Sequence, residues 1–280
     1  MAAVHERIPS LTVEHLRAGY GKRAVLRDVS FRVDGGMLTG LLGANGCGKT
    51  TLLKVLCRQL PYAGSCLMED THLNALPRKA LARQVSYIPQ RSGISISLPV
   101  LQVVLMGFNP VLGLLERPSE AQRGQALEAL GAVGMADRAD EDFQRLSEGQ
   151  KQLCILARTM VEDARLLLMD EPESSLDFFH RHRIMRLLSG LIAGTGKACL
   201  VTLHDPALAL AYCQRLILLK NGVCAAVLHP ESDSLSHMEA ALTDVYGPVR
   251  LARLENRLVM LPADESEGGA YAPNNPRISS

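Results

Sequence analysis

The chain has 280 residues, 47% of them hydrophobic, 21% charged and 4% aromatic, with no Trp. That composition is globular, with length for one large domain or two small ones, and it excludes wholesale disorder. Thirty basic against 29 acidic residues leave a formal charge of +1, which argues against a nucleic-acid binder relying on a broad basic surface. A mean hydropathy of +0.08 fits equally a large core or apolar surface covered by a partner. The longest apolar run, LPVLQVVLMGF at 98–108, falls short of the roughly 18 to 20 residues of a membrane helix. MAAVHERIPS at the start lacks the apolar centre of a secretory signal, so the chain is expected to stay in the cytosol. Seven cysteines form no CxxC pair; reduced thiols fit better than a zinc site or a disulfide framework.

In chain order, 11–20 and 25–33 show the partial alternation of strands, and MLTGLL (37–42) is a short apolar strand. A Gly-rich turn, GANGCGKTT (43–51), leads into a helical stretch over 52–60. A second helix is expected over 76–84, then a short strand, VSYIPQ (85–90). The segment 92–145 carries Gly, Pro and short helical runs such as 119–135, and reads as a helical insertion between two halves of an α/β core. A helix over 151–161 precedes the fully apolar strand RLLLMD (165–170), of the kind buried in a parallel sheet. The pattern then predicts helix 184–192, strand 198–203, helix 206–213 and strand 215–222 with a turn at Asn221-Gly222. Alternating strands and helices imply a mostly parallel sheet. The polar end, 263–280, reads as a disordered tail.

Gly43-Ala44-Asn45-Gly46-Cys47-Gly48-Lys49-Thr50 fits G-x-x-x-x-G-K-[ST] between a strand and a helix, the context that gives the motif its meaning. Glycines let backbone N–H groups curl around phosphate oxygens, and the helix N-terminus adds positive partial charge. Lys49 then reaches the β- and γ-phosphates, and the Thr50 hydroxyl takes Mg²⁺. Downstream, Leu166–Asp170 is an apolar strand that delivers Asp170 as a second Mg²⁺ ligand, with Glu171 one residue on to polarise water. Leu146-Ser147-Glu148-Gly149-Gln150 lies before helix 151–161; alone it reads as an ordinary Ser N-cap.

The order of these motifs resembles the ATP-binding-cassette (ABC) ATPases, whose signature is LSGGQ; the resemblance spans about Leu11 to Pro262. It implies an α/β fold, a RecA-like core with an N-terminal antiparallel β-subdomain and a helical subdomain near 92–160, after a short extension at 1–10. It implies ATP bound by Gly43, Asn45, Gly46, Cys47, Gly48, Lys49, Thr50 and Thr51, with Tyr20 stacked on the adenine. It implies that Ser147, Gly149 and Gln150 contact the ATP of an opposite subunit, so that two copies sandwich two nucleotides. Gln90 is similar to the family's Q-loop glutamine, linking Mg²⁺ and water to membrane subunits. His204 matches the switch histidine at the γ-phosphate, and Ser174–Asp177 the D-loop across the dimer interface. The implied catalytic set is Glu171, His204, Lys49 and Gln90, with Mg²⁺ on Thr50, Gln90 and Asp170.

Three departures stand out. Glu148 replaces a signature Gly and puts a negative charge near a phosphate site, which predicts weaker ATP-driven dimerisation than in Glu148→Gly. Glu173 replaces a small polar residue. Cys47, beside Lys49 and a helix N-terminus, is either a thiol of lowered pKa or a small filler. One cassette per chain and no coiled-coil insertion point to a transporter subunit. Stretches 73–90, 98–113 and 244–262 resemble the ATPases of iron-chelate and cobalamin importers. That resemblance implies a homodimer under two membrane permease subunits at the cytoplasmic face, fed by an extracytoplasmic substrate-binding protein. Siderophore, haem, cobalamin and other metal chelates all stay open as cargo. Another importer, an exporter or a soluble regulatory ABC ATPase is the alternative.

Overall fold

The computed structural model describes residues 10–90, 93–113, 115–255 and 257–263. The expected disorder of 264–280 and the extension at 1–9 lie outside the described residues.

The chain opens with β1 (Ser10–Tyr20) and β2 (Arg23–Asp34), an antiparallel hairpin closed by a two-residue turn at Gly21-Lys22. β3 (Leu38–Leu42) is buried at all five positions and runs straight into the phosphate-loop sequence. α1 (Lys49–Leu56) follows. It starts three residues before the expected helix and ends four before it, because Arg58 turns left-handed at φ 54°. β4 (Tyr62–Met68) and β5 (Thr71–His72) return to the antiparallel layer, β4 pairing with β1. α2 (Arg78–Gln84) leads to β6 (Val85–Ile88).

The insertion then unfolds as α3 (Val100–Leu105), α4 (Glu120–Ala132) and α5 (Glu148–Val161). α4 and α5 each start on a reciprocal cap, Ser119 with Gln122 and Ser147 with Gln150, which satisfies two otherwise orphaned N–H groups per helix. β7 (Leu166–Asp170), α6 (Phe178–Thr195), β8 (Ala198–Thr202), α7 (Pro206–Tyr212) and β9 (Arg215–Lys220) complete the parallel part. α6 starts at its Asp177 cap, six residues before the expected helix. At Asn221-Gly222 both φ angles are positive, as a tight hairpin needs, and the chain returns as β10 (Val223–Leu228). α8 (Leu235–Tyr246) and a separate hairpin, β11 (Val249–Leu254) with β12 (Arg257–Pro262), end the described chain.

Ten strands form one sheet in the order β5-β4-β1-β2-β10-β9-β3-β8-β7-β6. The half β9-β3-β8-β7-β6 is parallel; β5-β4-β1-β2 is antiparallel. The parallel strands β3, β7 and β8 are buried at every position because both faces are covered. On β7, Leu166 and Leu168 enter the core with α1 and the antiparallel strands; Leu167 and Met169 enter the larger core with the helical insertion and α6 to α8. The strand period of two thus divides one run of leucines between two cores. The sheet lays the carboxyl ends of β3, β7 and β8 side by side, the place where open α/β sheets bind ligands.

Candidate active site

Beyond β3 the backbone turns at Gly43, Gly46 and Gly48, all with positive φ. A Cβ at Gly43 would lie 2.2 Å from the Leu219 carbonyl, so the loop touches β9 where only glycine fits. Gly48 caps α1 with no side-chain bond, and the first turn has no acidic residue. The leading N–H groups of α1 therefore keep their positive end for an anion. Lys49 is buried and donates from Nζ to the Gly43 carbonyl at 2.7 Å, which holds the ammonium inside the loop. A cavity of about 450 Å³ lies over this loop. It is lined by Tyr20, Arg23, Val25, Asn45, Gly46, Gly48, Lys49, Thr50, Thr51 and Glu171. Half-exposed Tyr20 stands in this lining, where a flat base could stack on it.

Asp170 ends β7 and receives three hydroxyls. Thr202 donates to Oδ1 at 2.8 Å, Thr50 to Oδ1 at 3.4 Å and Tyr87 to Oδ2 at 3.5 Å. The Thr50 and Asp170 oxygens form the hard-oxygen pair that suits Mg²⁺. Glu171 adopts φ 50°, rare for a residue with a Cβ, and its N–H is anchored on Thr202 Oγ1 at 2.9 Å. The turn aims its carboxylate at two other predicted residues. His204 Nε2 lies 2.6 Å from Glu171 Oε2, and Gln90 Nε2 donates to the same oxygen at 2.9 Å. Gln90 also reaches Ser174 Oγ at 3.2 Å. Gln90 is thus bonded to Glu171, and not to the Thr50–Asp170 pair.

Ser147, Gly149 and Gln150 lie elsewhere. They start α5 and do not line the phosphate-loop cavity. Gln150 is spent within the helix: its Oε1 accepts from the Ser147 N–H at 2.9 Å. A Cβ on Gly149 would meet the His180 ring at 2.9 Å, and that ring is held by Asp177 at 2.8 Å. Glu148 is paired with Lys151 at 2.9 Å on the exposed side.

Of the two readings of Cys47, the structure favours the small filler over the thiol of lowered pKa. Burial pushes the Cys47 thiol up, outweighing the charge of Lys49. The residue is 8% exposed and packs in the core with Leu52 and Leu219. Three contributors escaped the sequence reading: Arg23, Thr202 and Tyr246, whose hydroxyl accepts from the Gly43 N–H at 2.9 Å. Only Arg23 had a nearby signal, the tight turn after Tyr20.

A phosphate cradle at the end of one parallel strand, β3, with a strand-end Asp-Glu on β7, one strand beyond its neighbour β8, defines a P-loop nucleoside triphosphatase. The sequence profile described as "ABC transporter" matches residues 26–174. The zinc transport system ATP-binding protein TroB of Treponema pallidum (strain Nichols) is 37% identical over 227 residues, 80% of this chain and 84% of TroB. The petrobactin import ATP-binding protein FpuD of Bacillus anthracis is 32% identical over 223 residues, 79% of this chain and 82% of FpuD. Among solved structures, an ABC transporter described as of metal-chelate type in an inward-facing conformation superimposes with a TM-score of 0.78. The likeness covers 92% of this chain and 99% of that one, and at 24% identity it speaks for the fold. The dimeric post-hydrolysis state of the ATP-binding cassette MJ0796, bound to ADP and Pi, has a TM-score of 0.69 at 25% identity, over 79% of this chain and 98% of that one. The chain belongs to the ABC transporter family and is an ATP-hydrolysing subunit of it.

Proposed function

We propose that this chain powers import of a metal chelate, of the siderophore, haem or cobalamin type, as a homodimer beneath two membrane permease subunits at the cytoplasmic face. An extracytoplasmic binding protein would deliver the cargo. The observation that carries this reading is the match to FpuD, a petrobactin import subunit, over about four-fifths of each chain. The higher identity of TroB favours a second reading, import of a free metal ion such as zinc. No helix among the described residues is long and apolar enough to cross a membrane.

In this reading the N–H groups at the start of α1 and Lys49 bind the phosphates, and Tyr20 stacks on the adenine. Thr50 and Asp170 would hold Mg²⁺, which would neutralise charge on the transferring phosphoryl group. Glu171 orients the attacking water. His204 and Gln90, both on Glu171 Oε2, hold that carboxylate in place. Catalysis here is positioning and electrostatics. Ser147 and the Gly149 N–H serve the nucleotide of the second copy.

The test is uptake by cells whose only copy is Glu171→Gln. The expected result is hydrolysis lowered by about 10² to 10⁴-fold and loss of ferric-chelate, haem or cobalamin accumulation, with zinc uptake intact. Loss of zinc uptake alone would install the second reading. Undiminished hydrolysis would overturn the role of Glu171.

A further inference from the structure

Glu173 follows Asp170-Glu171-Pro172 at the exit of β7, and none of the roles above uses it. Its side chain is 5% exposed. One carboxyl oxygen, Oε1, accepts from the His204 main-chain N–H at 3.0 Å. The other, Oε2, is buried and meets no hydrogen-bond donor among the described residues. A buried oxygen without a donor works against folding. An apolar side chain of similar size would avoid that cost, but it would leave the His204 N–H without its acceptor.

The contacts around it give another reason. Glu171 and His204 lie just past the ends of neighbouring parallel strands, where Asp170 is in register with Thr202. Three links join these two exits. The Glu171 N–H bonds to Thr202 Oγ1, the His204 imidazole bonds to Glu171 Oε2, and the His204 N–H bonds to Glu173 Oε1. The His204 side chain is itself 44% exposed, so packing alone does not fix its direction. The main-chain bond from Glu173 holds the backbone that carries it. Glu173 also opens the segment that runs through Ser174, the second partner of Gln90, to Asp177 at the start of α6.

We propose that Glu173 is a positioning residue for ATP hydrolysis: its carboxyl holds the His204 main chain so that the imidazole stays on Glu171, and so ties segment 173–177 to the hydrolytic centre. Burial pushes the Glu173 carboxyl above the ordinary range. The carbonyl oxygen of a glutamine offers the His204 N–H the same acceptor, so a glutamine can stand in for it. The proposal rests on the assignment of Glu171 and His204 to hydrolysis. Failure of that assignment would show as full turnover in Glu171→Gln or His204→Ala.

The experiment compares kcat, the KM for ATP and the melting temperature in Glu173→Met, Glu173→Gln and Glu173→Asp. Methionine keeps the volume and removes the acceptor. It should lower kcat roughly tenfold to a hundredfold and leave KM within about twofold; the melting temperature establishes that the variant is folded. Glutamine should stay within about twofold of the native kcat. Aspartate, one methylene short of the His204 N–H, should lose kcat like methionine; it decides the matter if the methionine variant does not fold. Native kcat in the folded methionine or aspartate variant overturns the proposal. So does a glutamine variant as slow as methionine, because the acceptor would then not be what matters.

Discussion

Removing one oxygen atom, in Tyr246→Phe, tests whether α8 holds the phosphate loop in shape. The Tyr246 hydroxyl accepts the N–H of Gly43, the residue whose backbone lies against the Leu219 carbonyl. Burial pushes the Tyr246 phenol up to about 12, so the hydroxyl stays neutral at any working pH. Phenylalanine keeps the ring and leaves a buried backbone donor unpaired, which costs about 1–3 kcal/mol. Tyr246 is only half-buried, so water can restore part of the bond, and we expect about 1–2 kcal/mol. For a chain of this size that lowers the melting temperature by about 2–8 °C. If the loop relaxes when empty, ATP must pull it back, and the same energy weakens ATP binding by about five- to thirtyfold. Thermal unfolding with and without MgATP reads the first effect, and calorimetric titration of ATP the second. A melting temperature within about 1 °C of native, together with unchanged ATP affinity, would refute the reasoning.

Three further outcomes follow from the same geometry. Iodoacetamide should leave Cys47 unmodified in the folded protein at neutral pH and label it in denaturant, because burial raises its thiol pKa; fast labelling that MgATP blocks would restore the reactive-thiol reading. Glu148→Gly should tighten ATP-dependent dimerisation, measured by light scattering in a Glu171→Gln background, since it removes a carboxylate that Lys151 only partly offsets; equal or weaker association would sink the idea. Glu173→Gln should melt progressively above the native protein as pH rises past 4.5, the ordinary glutamate value. A carboxyl with a raised folded pKa contributes stability below its unfolded pKa and loses it as pH climbs through the folded value. A pH-independent difference between the two proteins would contradict that buried state.

The parts legible in the sequence obey local rules. Gly43 to Thr50 is a string of conformational and charge requirements met within eight residues. Leu166–Asp170 announces a strand covered on both faces by being apolar at every position but the last. Where local signals are weak the reading slipped. In β4, YAGSCLM carries Gly, Ala and Ser, and only Cys66 and Met68 are buried, so no alternation marks it. The front of α6, FFHRHR, has no apolar period; its one signal was the Asp177 cap, which bonds the His180 N–H. β10 was foreshadowed by Asn221-Gly222, a hairpin turn whose returning strand is poor in large side chains.

The contacts that shape the site obey no local rule. Tyr246 and Gly43 are 203 residues apart, and Glu173 and His204 are 31 apart. Tyr246 is brought in at the end of α8; Glu173 and His204 meet because parallel pairing puts Leu41 level with Thr202 and Thr202 level with Asp170, so that three loops leave the sheet at one edge. Once the strands are in that register, each loop supplies what its neighbour lacks. Thr202 bonds both the Asp170 carboxylate and the Glu171 N–H, and Glu171 receives His204 and Gln90. A substitution such as Glu173, odd against the motif when read alone, acquires a function only through the strand beside it. Departures from a family's pattern at strand ends are therefore best read across the sheet, from β7 to β8, and not along the chain.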